Sequence, residues 1–518
     1  MSADISRVSF DPAKHYSRIV HQQGRVTLDS DANEQTAVLL HHLRTVVADL
    51  LGPTAAPLAA PGFGVARTDP PGDLAIGAGR LYIDGLLVEN DTATTYLTQP
   101  EGYVDPETAP VPDGPFAVYL RAWEREITAV QDPSIREIAL GIHGPDTAAR
   151  AKVVWQVALH AFDGEDPGPG GAAEALRLWL DGLHRPAGLM AARARHAPEP
   201  PGGPAESCVT VPGAEFRGPE NQLYRVQIHT SGGGAPPGEV PELPVVRPRR
   251  RTPREAADRP PVATFVWSRE NASVALPVAR VAGPVVTLEE WGRDGHLSLD
   301  VGDMVELVDD ATAVHSADDV QAGPPQRVHR VLAVDLPART VTLDADPNAP
   351  ARPGGSPPPC VSGDPELHPH LRRWDHRPAG TADALPVVLD TWIPLEDGVA
   401  VRFTAPPSTG TDVGDRPGRT YGSDRPDRTG RTARTDRTGR DQPPVRAGFR
   451  RGDHWLVPAR TVPGDVLWPQ REDGPAPVRP HGVDYHYAPL AYVPADQGEP
   501  HSLVPTFAPV AGPTPPAP

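Results

Sequence analysis

Two histidine-rich stretches carry side chains that commonly bind a divalent metal ion. The first is HPHLRRWDH, which begins at His368, and the second is HGVDYHY, which begins at His481. A His-x-His pair on a strand directs both imidazoles to one face, and imidazole with carboxylate is a usual zinc ligand set. This interpretation predicts a metal-dependent hydrolase whose ligands come from His368, His370, Asp375 and His376, or from His481, Asp484 and His486.

The same stretches also fit hydrogen-bonded residues in polar turns. Neither matches a closed zinc pattern, and the sequence has no Gly-x-Ser-x-Gly or Ser-x-x-Lys motif for a nucleophilic serine. The carboxylate pairs that a glycosidase would need are adjacent or alternate residues, which is ordinary in strands and turns; they are Glu124/Glu126, Glu289/Glu290 and Asp309/Asp310. The sequence therefore predicts no catalytic residue, no bound metal and no cofactor, with the hydrolase kept as an alternative.

The N-terminal region is predicted to form a short strand followed by a long helix. Residues 25–28 have a β-type pattern, and Asp31 with Glu34 three residues later has the spacing of a capping box that starts a helix. Apolar residues then recur at heptad-like spacing, and Gly52 followed by proline is a helix stop signal. The recurring residues, which predict a helix that packs against a partner chain, are Leu39, Leu43, Val46 and Leu50.

The rest of the chain has the pattern of short strands joined by turns. After an Ala/Pro-rich linker at 53–61, the segment LAIGAGRLYIDGLLVEN alternates apolar and polar residues on both sides of Asp84-Gly85, a signal for a β-hairpin. Seven short strand patterns between residues 218 and 345 are typical of a small barrel or sandwich. The predicted fold class is mainly β (α+β): an N-terminal strand–helix segment, then several small β-sandwich or barrel-like domains with disordered Pro/Gly/Arg-rich insertions.

Shifts in composition divide the chain into predicted units. Pro 67 and Gly 49 together exceed a fifth of the sequence, and an arginine-repeat segment offers too little apolar surface to fold. The units are a docking segment (1–52), a β domain (62–162), a Pro/Gly/Ala-rich linker (163–217), a barrel or sandwich domain (218–345) with a charged loop (231–261), a C-terminal β domain (366–494) with a disordered insert (405–448), and a disordered tail (495–518).

Charge and composition argue against several classes of protein. The formal net charge of −18 over 518 residues is opposite to that of a general nucleic-acid binder. Two cysteines are too few for a disulfide framework or a cysteine-based zinc site. No apolar run approaches about 18 residues, so no membrane insertion is expected. The N-terminus lacks the apolar core of a signal peptide, which predicts cytoplasmic synthesis.

Several sequence blocks, in this order, resemble a known bacterial family. They are FDPAKHYSRIVHQQGRVTLDSDANEQ, IGAGRLYIDGLLVEN, AWEREITAVQDPSIREIALGIHGPDTAARAKVVWQV, ENQLYRVQIH, ATFVWSRENASV, LEDGVAVRF, GDHWLVPAR and PHGVDYHYAPLA. They look like the signature blocks of an uncharacterised family encoded in gene clusters for extracellular contractile injection systems, the phage-tail-like particles. The resemblance implies a structural or accessory component of such a particle, near the baseplate or fibre-like, and it brings no catalytic residue with it.

With this resemblance, the stretch YSRIVHQQGRVTLDSDANEQ is assigned to assembly. Its amide and guanidinium side chains can hydrogen-bond exposed backbone, as a strand added to a neighbouring sheet requires. The predicted assembly residues are Gln22, Gln23, Gly24, Arg25, Asp29, Asp31, Asn33 and Glu34. The predicted partners are other subunits of the particle, with a homo-oligomer as a further arrangement, and the particle either stays intracellular or is released by lysis. A surface- or glycan-binding protein carried by the particle is the alternative function.

Overall fold

The fold, seen in a computed structural model, is mainly β, as the sequence predicts: 39% of the described residues lie in strands and 14% in helices. The structure describes residues 2–107, 109–141, 144–162, 166–183, 188–194, 216–237, 262–292, 295, 297–314, 327–349, 364–405, 448–495 and 498–508. The predicted disordered insert at 405–448, apart from its two end residues, and most of the charged loop at 231–261 lie outside the described residues.

Helices are few and short except for one near the N-terminus. The α-helices are α1 (Asp29–Leu51), α2 (Gly168–Leu183) and α3 (Asp310–Ala313). Single 3-10 turns lie at Pro12–Lys14, Pro133–Ile135, Ile138–Leu140 and Pro365–Leu367. Helix α1 ends where predicted, because Gly52 adopts a φ of 79° and donates its N–H to the Ala48 carbonyl oxygen at 2.8 Å. Within the described ranges, no helix has the length and apolar character to cross a bilayer.

Twenty-seven strands are described along the chain. The first fourteen are β1 (Thr54–Pro57), β2 (Val65–Arg67), β3 (Leu74–Ile76), β4 (Gly79–Ile83), β5 (Leu86–Asn90), β6 (Thr94–Thr95), β7 (Phe116–Ile127), β8 (Arg150–Ala161), β9 (Leu189–Ala194), β10 (Gln222–Thr230), β11 (Thr264–Ser268), β12 (Ala275–Ala282), β13 (Val285–Leu288) and β14 (Met304–Val308). The others are β15 (Val328–Asp335), β16 (Thr340–Leu343), β17 (His370–Trp374), β18 (Leu385–Pro386), β19 (Trp392–Pro394), β20 (Val399–Thr404), β21 (His454–Arg460), β22 (Asp465–Val466), β23 (Gln470–Arg471), β24 (Gly474–Pro475), β25 (His486–Val493), β26 (His501–Ser502) and β27 (Thr506–Phe507).

Most of these strands form three bodies that are nested along the chain. The outer body contains the sheets β27–β1–β4–β5, β2–β3–β6 and β26–β25–β7–β8, and the inner body contains β18–β11–β10–β21–β22 and β19–β20–β9. A closed six-stranded barrel, β12–β13–β16–β15–β14–β17, is inserted between β11 and β18 of the inner body. Strand β25 then returns to pair with β7 in antiparallel register. The sheets therefore combine segments from both sides of the predicted linear boundaries.

The hairpin β4–β5 confirms the predicted alternation and begins the core of the outer body. Its turn residues Asp84 and Gly85 adopt positive φ values of 48° and 82°, which a tight two-residue hairpin turn requires. The alternate side chains are fully or almost fully buried, and they are Leu81, Ile83, Leu86 and Val88. They pack in one cluster with Phe116 and Leu120 of β7 and Trp155 of β8.

The inner body and the barrel have separate cores of different composition. Large aromatic side chains fill the space between the two inner-body sheets; they include Tyr224, Phe265, Phe403 and Trp455. Branched aliphatic side chains fill the barrel, as the narrow interior of a small barrel requires; they include Val286, Val305, Val331, Val341 and Leu371. Each body therefore has its own hydrophobic core.

Three segments predicted to be linker or tail contain regular elements. The Ala/Pro-rich stretch at 53–61 includes β1, which is held between β4 and β27. The segment 163–217 contains α2 and β9, and α2 buries an apolar side formed by Ala172, Leu176 and Leu180. The segment 495–518 contains β26 and β27. Neighbouring strands supply the hydrogen-bond partners for β1, β26 and β27, and composition does not reveal such partners.

Candidate functional site

The first histidine stretch does not converge on one point in the structure. His370, in β17, is buried, and its Nδ1–H donates to the carbonyl oxygen of His368 at 3.0 Å. The ring of His368 lies instead beside Asp310, whose Oδ2 is 2.7 Å from Nδ1. Asp375 accepts a hydrogen bond from the backbone N–H of Arg269 at 2.9 Å. Each of these candidate ligands therefore has a different partner.

Burial keeps two histidines of this stretch neutral. Desolvation, with the nearby charge of Arg372, lowers the pKa of His370 to about 4. Desolvation likewise lowers the pKa of His376 to about 4, although its hydrogen bond with the carbonyl oxygen of Asp383, at 2.9 Å from Nε2, acts in the opposite direction. Both imidazoles are therefore buried, uncharged groups at neutral pH.

The second histidine stretch is spread over separate contacts. His486 Nδ1 lies 3.0 Å from Oδ2 of Asp84, in the β4–β5 turn. Asp484 is almost fully exposed, with its Oδ2 3.8 Å from His486 Nε2. His481 lies beside His454, with 6.1 Å between ring centroids. In the part of the chain that the structure describes, no three His, Cys, Asp or Glu side chains are arranged to hold a metal ion. The structure does not bring the candidate ligands together.

A charged network that the sequence did not reveal joins the outer body to the barrel. Arg125 of β7 contacts Asp310 of α3 and also Glu101, at 3.2 Å from Oε2. Glu101 accepts a further contact from Lys152 Nζ at 2.9 Å. Asp310 contacts His368, as described above. Arg125 and Asp310 are 185 positions apart in the chain, so no local motif could have indicated the network.

A second network joins the barrel to the inner body. Arg373 of β17 contacts Glu270 Oε2 at 3.0 Å and Asp375 Oδ1 at 3.3 Å. Arg269, next to Glu270, contacts Glu396 Oε2 at 2.7 Å. Burial raises the pKa of Glu270 to about 7, even though Arg373 acts to lower it. These ion pairs fix the barrel against the inner sheets.

The first residues of the chain are anchored where the outer and inner bodies meet. The backbone N–H of Ser2 donates to the carboxylate of Glu126 in β7. The next residue accepts a hydrogen bond at its carbonyl oxygen from the Asn271 side chain, at 2.8 Å. Ser6 accepts at its carbonyl oxygen from Arg460 Nη2 of β21, at 2.7 Å. The root of the N-terminal segment therefore has a fixed position.

Beyond this root, the N-terminal arm (residues 7–28) is mostly exposed and forms no strand, with one 3-10 turn at Pro12–Lys14. Its exposed apolar side chains are Val8, Tyr16, Val20, Val26 and Leu28. Between positions 16 and 28, the backbone N–H groups that donate within the described residues are those of Ile19, to the Gln35 side chain at 2.7 Å, and of Arg25, to the carbonyl oxygen three residues earlier at 3.3 Å. The arm thus presents free backbone donors to solvent.

Half of the predicted assembly residues form an exposed turn at the far end of this arm. The turn is closed by the Arg25 hydrogen bond, and Gly24 supplies the φ of 70° that the third position of such a turn needs. The predicted strand at 25–28 is wrong for the described chain, because no neighbouring strand supplies a ladder of hydrogen bonds there. The residues of the turn are Gln22, Gln23, Gly24 and Arg25.

The other predicted assembly residues lie in the first turns of α1, and they are Asp29, Asp31, Asn33 and Glu34. The predicted capping box of Asp31 and Glu34 is wrong, because the N-cap residue is Leu28 and no side chain caps the helix. Asp29 instead accepts the backbone N–H of Ser6 at 2.8 Å. Partial burial raises the pKa of Asp29, but hydrogen bonds from Ser6 and the helix backbone outweigh burial, and the pKa lies below its usual value.

Helix α1 is held against the outer body by one ion pair and one close backbone contact. Arg44 makes a bidentate pair with Glu124 of β7, at 2.8 and 3.1 Å. A Cβ atom on Gly85 would lie 2.1 Å from the Arg44 carbonyl oxygen, so the β4–β5 turn touches the helix backbone. The side of α1 away from these contacts is apolar and exposed, and it includes Leu39, Leu43, Val46 and Leu50.

The fold and these contacts define a nested β-rich protein with a projecting arm and helix. The chain belongs to a protein family of unknown function, DUF6519, whose model matches residues 1–193 and 172–416. These matches include the arm, α1, the barrel and the strands from β1 to β20. No curated protein and no solved structure matches the chain.

Proposed function

We propose that this protein is a non-catalytic structural or accessory component of a phage-tail-like contractile injection particle, associated with its baseplate or a fibre. It acts by protein–protein assembly through the N-terminal arm and the first turns of α1. The observation that carries this proposal is the arm itself, whose exposed backbone and apolar side chains follow an anchored root at Ser2 and Ser6.

An extended segment with free backbone groups is suited to join the edge of a neighbouring sheet. In that mode, main-chain hydrogen bonds supply affinity, and alternate side chains supply specificity by entering pockets. Tyr16, Val20 and Val26 are each more than half exposed. Burial of one such side chain stabilises a complex by roughly 1.5–3 kcal/mol. Covering these side chains with a partner protein is therefore more favourable than leaving them exposed to water.

The resemblance of the sequence blocks supports the class of particle. The first block, FDPAKHYSRIVHQQGRVTLDSDANEQ, covers most of the arm and the start of α1. A segment that resembles the particle-associated family is thus also one that the described chain leaves mostly exposed. Both observations favour a docking role for this segment.

Expression with neighbouring sheath, tube and baseplate genes tests the proposal. We expect the double variant Val20→Asp, Val26→Asp to lose co-purification with the sheath and baseplate proteins, because two carboxylates would have to be buried in the docked arm. The matched control is Leu336→Asp, Val462→Asp, which places the same charges on exposed apolar residues of the barrel and inner body. Circular dichroism should show the wild-type fold in both variants.

Three outcomes would contradict the proposed function. Wild-type protein that never co-purifies with particle proteins would exclude the particle role. An arm variant that co-purifies as well as the wild type would show that the arm does not dock. Loss of co-purification in the control variant alone would assign docking to the barrel or inner body.

A further inference from the structure

The exposed side of α1 carries an apolar stripe with coiled-coil spacing. Successive members are four, three and four residues apart, which is the a/d pattern of a heptad repeat. Their side chains are 57%, 59%, 55% and 76% exposed for Leu39, Leu43, Val46 and Leu50, respectively. The stripe runs along one line of the helix for about 17 Å.

This stripe is not the side that holds the helix in place. The side of α1 that faces the outer body carries both polar and apolar residues: Ser30 and Val38 are buried, and Arg44 pairs with Glu124. His41 lies against Phe10 of the arm, with 5.7 Å between ring centroids. Surface helices usually turn a continuous apolar stripe of this kind toward the protein. The apolar side of α1 is therefore available to another molecule.

The pattern of the stripe matches a second copy of the same helix. In heptad notation, Leu43 and Leu50 occupy position a, and Leu39 and Val46 occupy position d. When two copies of α1 are aligned antiparallel, with Leu43 of each opposite Val46 of the other, Leu39 of each meets Leu50 of the other. All four layers of the contact are then apolar, and the pairing is two-fold symmetric, as the commonest dimers are.

The residues beside the stripe are complementary in this alignment. One edge, position e, holds Leu40 and Val47, and Leu40 of one copy faces Val47 of the other across the two-fold axis. The other edge, position g, holds His42 and Asp49, and His42 of one copy faces Asp49 of the other, as a polar pair able to form a hydrogen bond. A parallel alignment would place His42 beside Val47, so that a polar side chain meets an apolar one. The antiparallel alignment therefore places apolar residues together along one edge and polar residues together along the other.

We propose that α1 forms an antiparallel helix pair with α1 of a second copy of this chain. The pairing needs no particle subunit, so it stands or falls separately from the proposed function. The stripe is short beside the roughly 800 Å² that each partner buries in a standard interface. We therefore expect a dimer that forms at micromolar or higher concentration, and two anchored copies on a particle would favour it further.

Sedimentation equilibrium of the purified full-length chain, up to about 100 µM, tests the pairing. We expect a concentration-dependent dimer in the wild type, and an increase of at least about 100-fold in its dissociation constant in Leu43→Glu, which would bury a carboxylate in a central layer. The matched control is Thr45→Glu, which adds the same charge to an exposed position of α1 outside the stripe. A monomeric wild type, or a dimer that Leu43→Glu does not weaken, would overturn the proposal.

Cysteine cross-linking tests the alignment in a background with Cys208→Ser and Cys360→Ser. We expect a disulfide between chains when the Leu39→Cys protein is mixed with the Leu50→Cys protein, and none in either protein alone. A parallel pair would instead link Leu39→Cys to itself, and that result would overturn the antiparallel proposal. Because the arm variant Val20→Asp, Val26→Asp leaves the stripe intact, it should still dimerise even where particle docking is lost.

Discussion

His370 and His376 are uncharged in the interior because a buried imidazolium would lose its hydration without a carboxylate positioned to replace it. Among the charges that act on the pKa of His370, the positive Arg372 has the largest effect, and the Nδ1–H of His370 is occupied by the His368 carbonyl oxygen. The same residue types that looked like metal ligands in the sequence thus serve as hydrogen-bond donors in a strand and a turn. Spacing along the chain did not distinguish the two roles, because it does not report burial.

The depressed pKa of His370 predicts a loss of stability on acidification. Folded, this residue stays neutral down to about pH 4, whereas in the unfolded chain it takes up a proton below about pH 6.5. The unfolded state therefore binds more protons in this window, and the free energy of unfolding falls as the pH drops through it. Between pH 7 and pH 5, we expect the free energy of unfolding of the wild type to fall by about 2 kcal/mol more than that of His370→Asn.

Urea unfolding at the two pH values measures this difference. The asparagine amide can still donate to the His368 carbonyl oxygen but does not titrate, so it separates the charge of the imidazole from its hydrogen bond. Equal losses in the two proteins would show that His370 is accessible to protons in the folded state.

Among the elements, the contact of α1 with the β4–β5 hairpin depends on one glycine. Gly85 has a φ of 82°, and the nearest atom to its missing Cβ is the Arg44 carbonyl oxygen, at 2.1 Å. The hairpin turn was predictable from Asp84-Gly85, because turn chemistry is local. The contact of the same glycine with the backbone of α1 was not predictable, since it joins residues 41 positions apart and has no local signal.

The variant Gly85→Ala should displace α1 from the outer body. The added methyl group collides with helix backbone, which cannot move aside as a flexible side chain would, and we expect a destabilisation of about 2–4 kcal/mol. Hydrogen exchange of residues 29–51 should become faster. Gly24→Ala is the control, because Gly24 has a similar φ of 70° but open space around it. This variant should lower the free energy of unfolding by about 1 kcal/mol and leave exchange in α1 unchanged. Unchanged exchange in Gly85→Ala would contradict this account of the contact.

Local patterns predicted elements correctly where the chain itself completes the hydrogen bonding. The end of α1 and the β4–β5 hairpin are of this kind. The strand predicted at 25–28 failed because its β-type residues have no strand beside them in the described chain. The reverse error occurred at 53–61, where an Ala/Pro-rich composition concealed β1, which β4 and β27 complete from both sides. Strand formation depends on partners as much as on propensity.

At the scale of the whole molecule, the nested order of the bodies could not be predicted from composition. The sequence gives no local sign that β25 pairs with β7, whose partners lie more than 350 positions away, or that Arg125 meets Asp310. The mainly β class and the presence of a small barrel or sandwich were predictable because they need only strand counts and turn spacing, whereas the choice of a barrel that includes β17 was not. The networks that join the bodies required the three-dimensional structure.

The nesting predicts that the C-terminal strands complete the outer body. Strand β25 lies between β26 and β7, and its Leu490 and Val493 are buried in the outer-body core. Burial of these two side chains alone stabilises the body by roughly 3–6 kcal/mol, a large part of the stability of one domain. A chain that ends at Asp484 should therefore lose hydrogen-exchange protection in β7 and β8, while the barrel, which has its own core, retains protection. A chain that ends at Ala508 keeps β25 to β27 and should behave as the wild type. Persistent protection of β7 in the shorter chain would show that the outer body is complete without the returning strand, and α1 would then be supported by the N-terminal half of the chain alone.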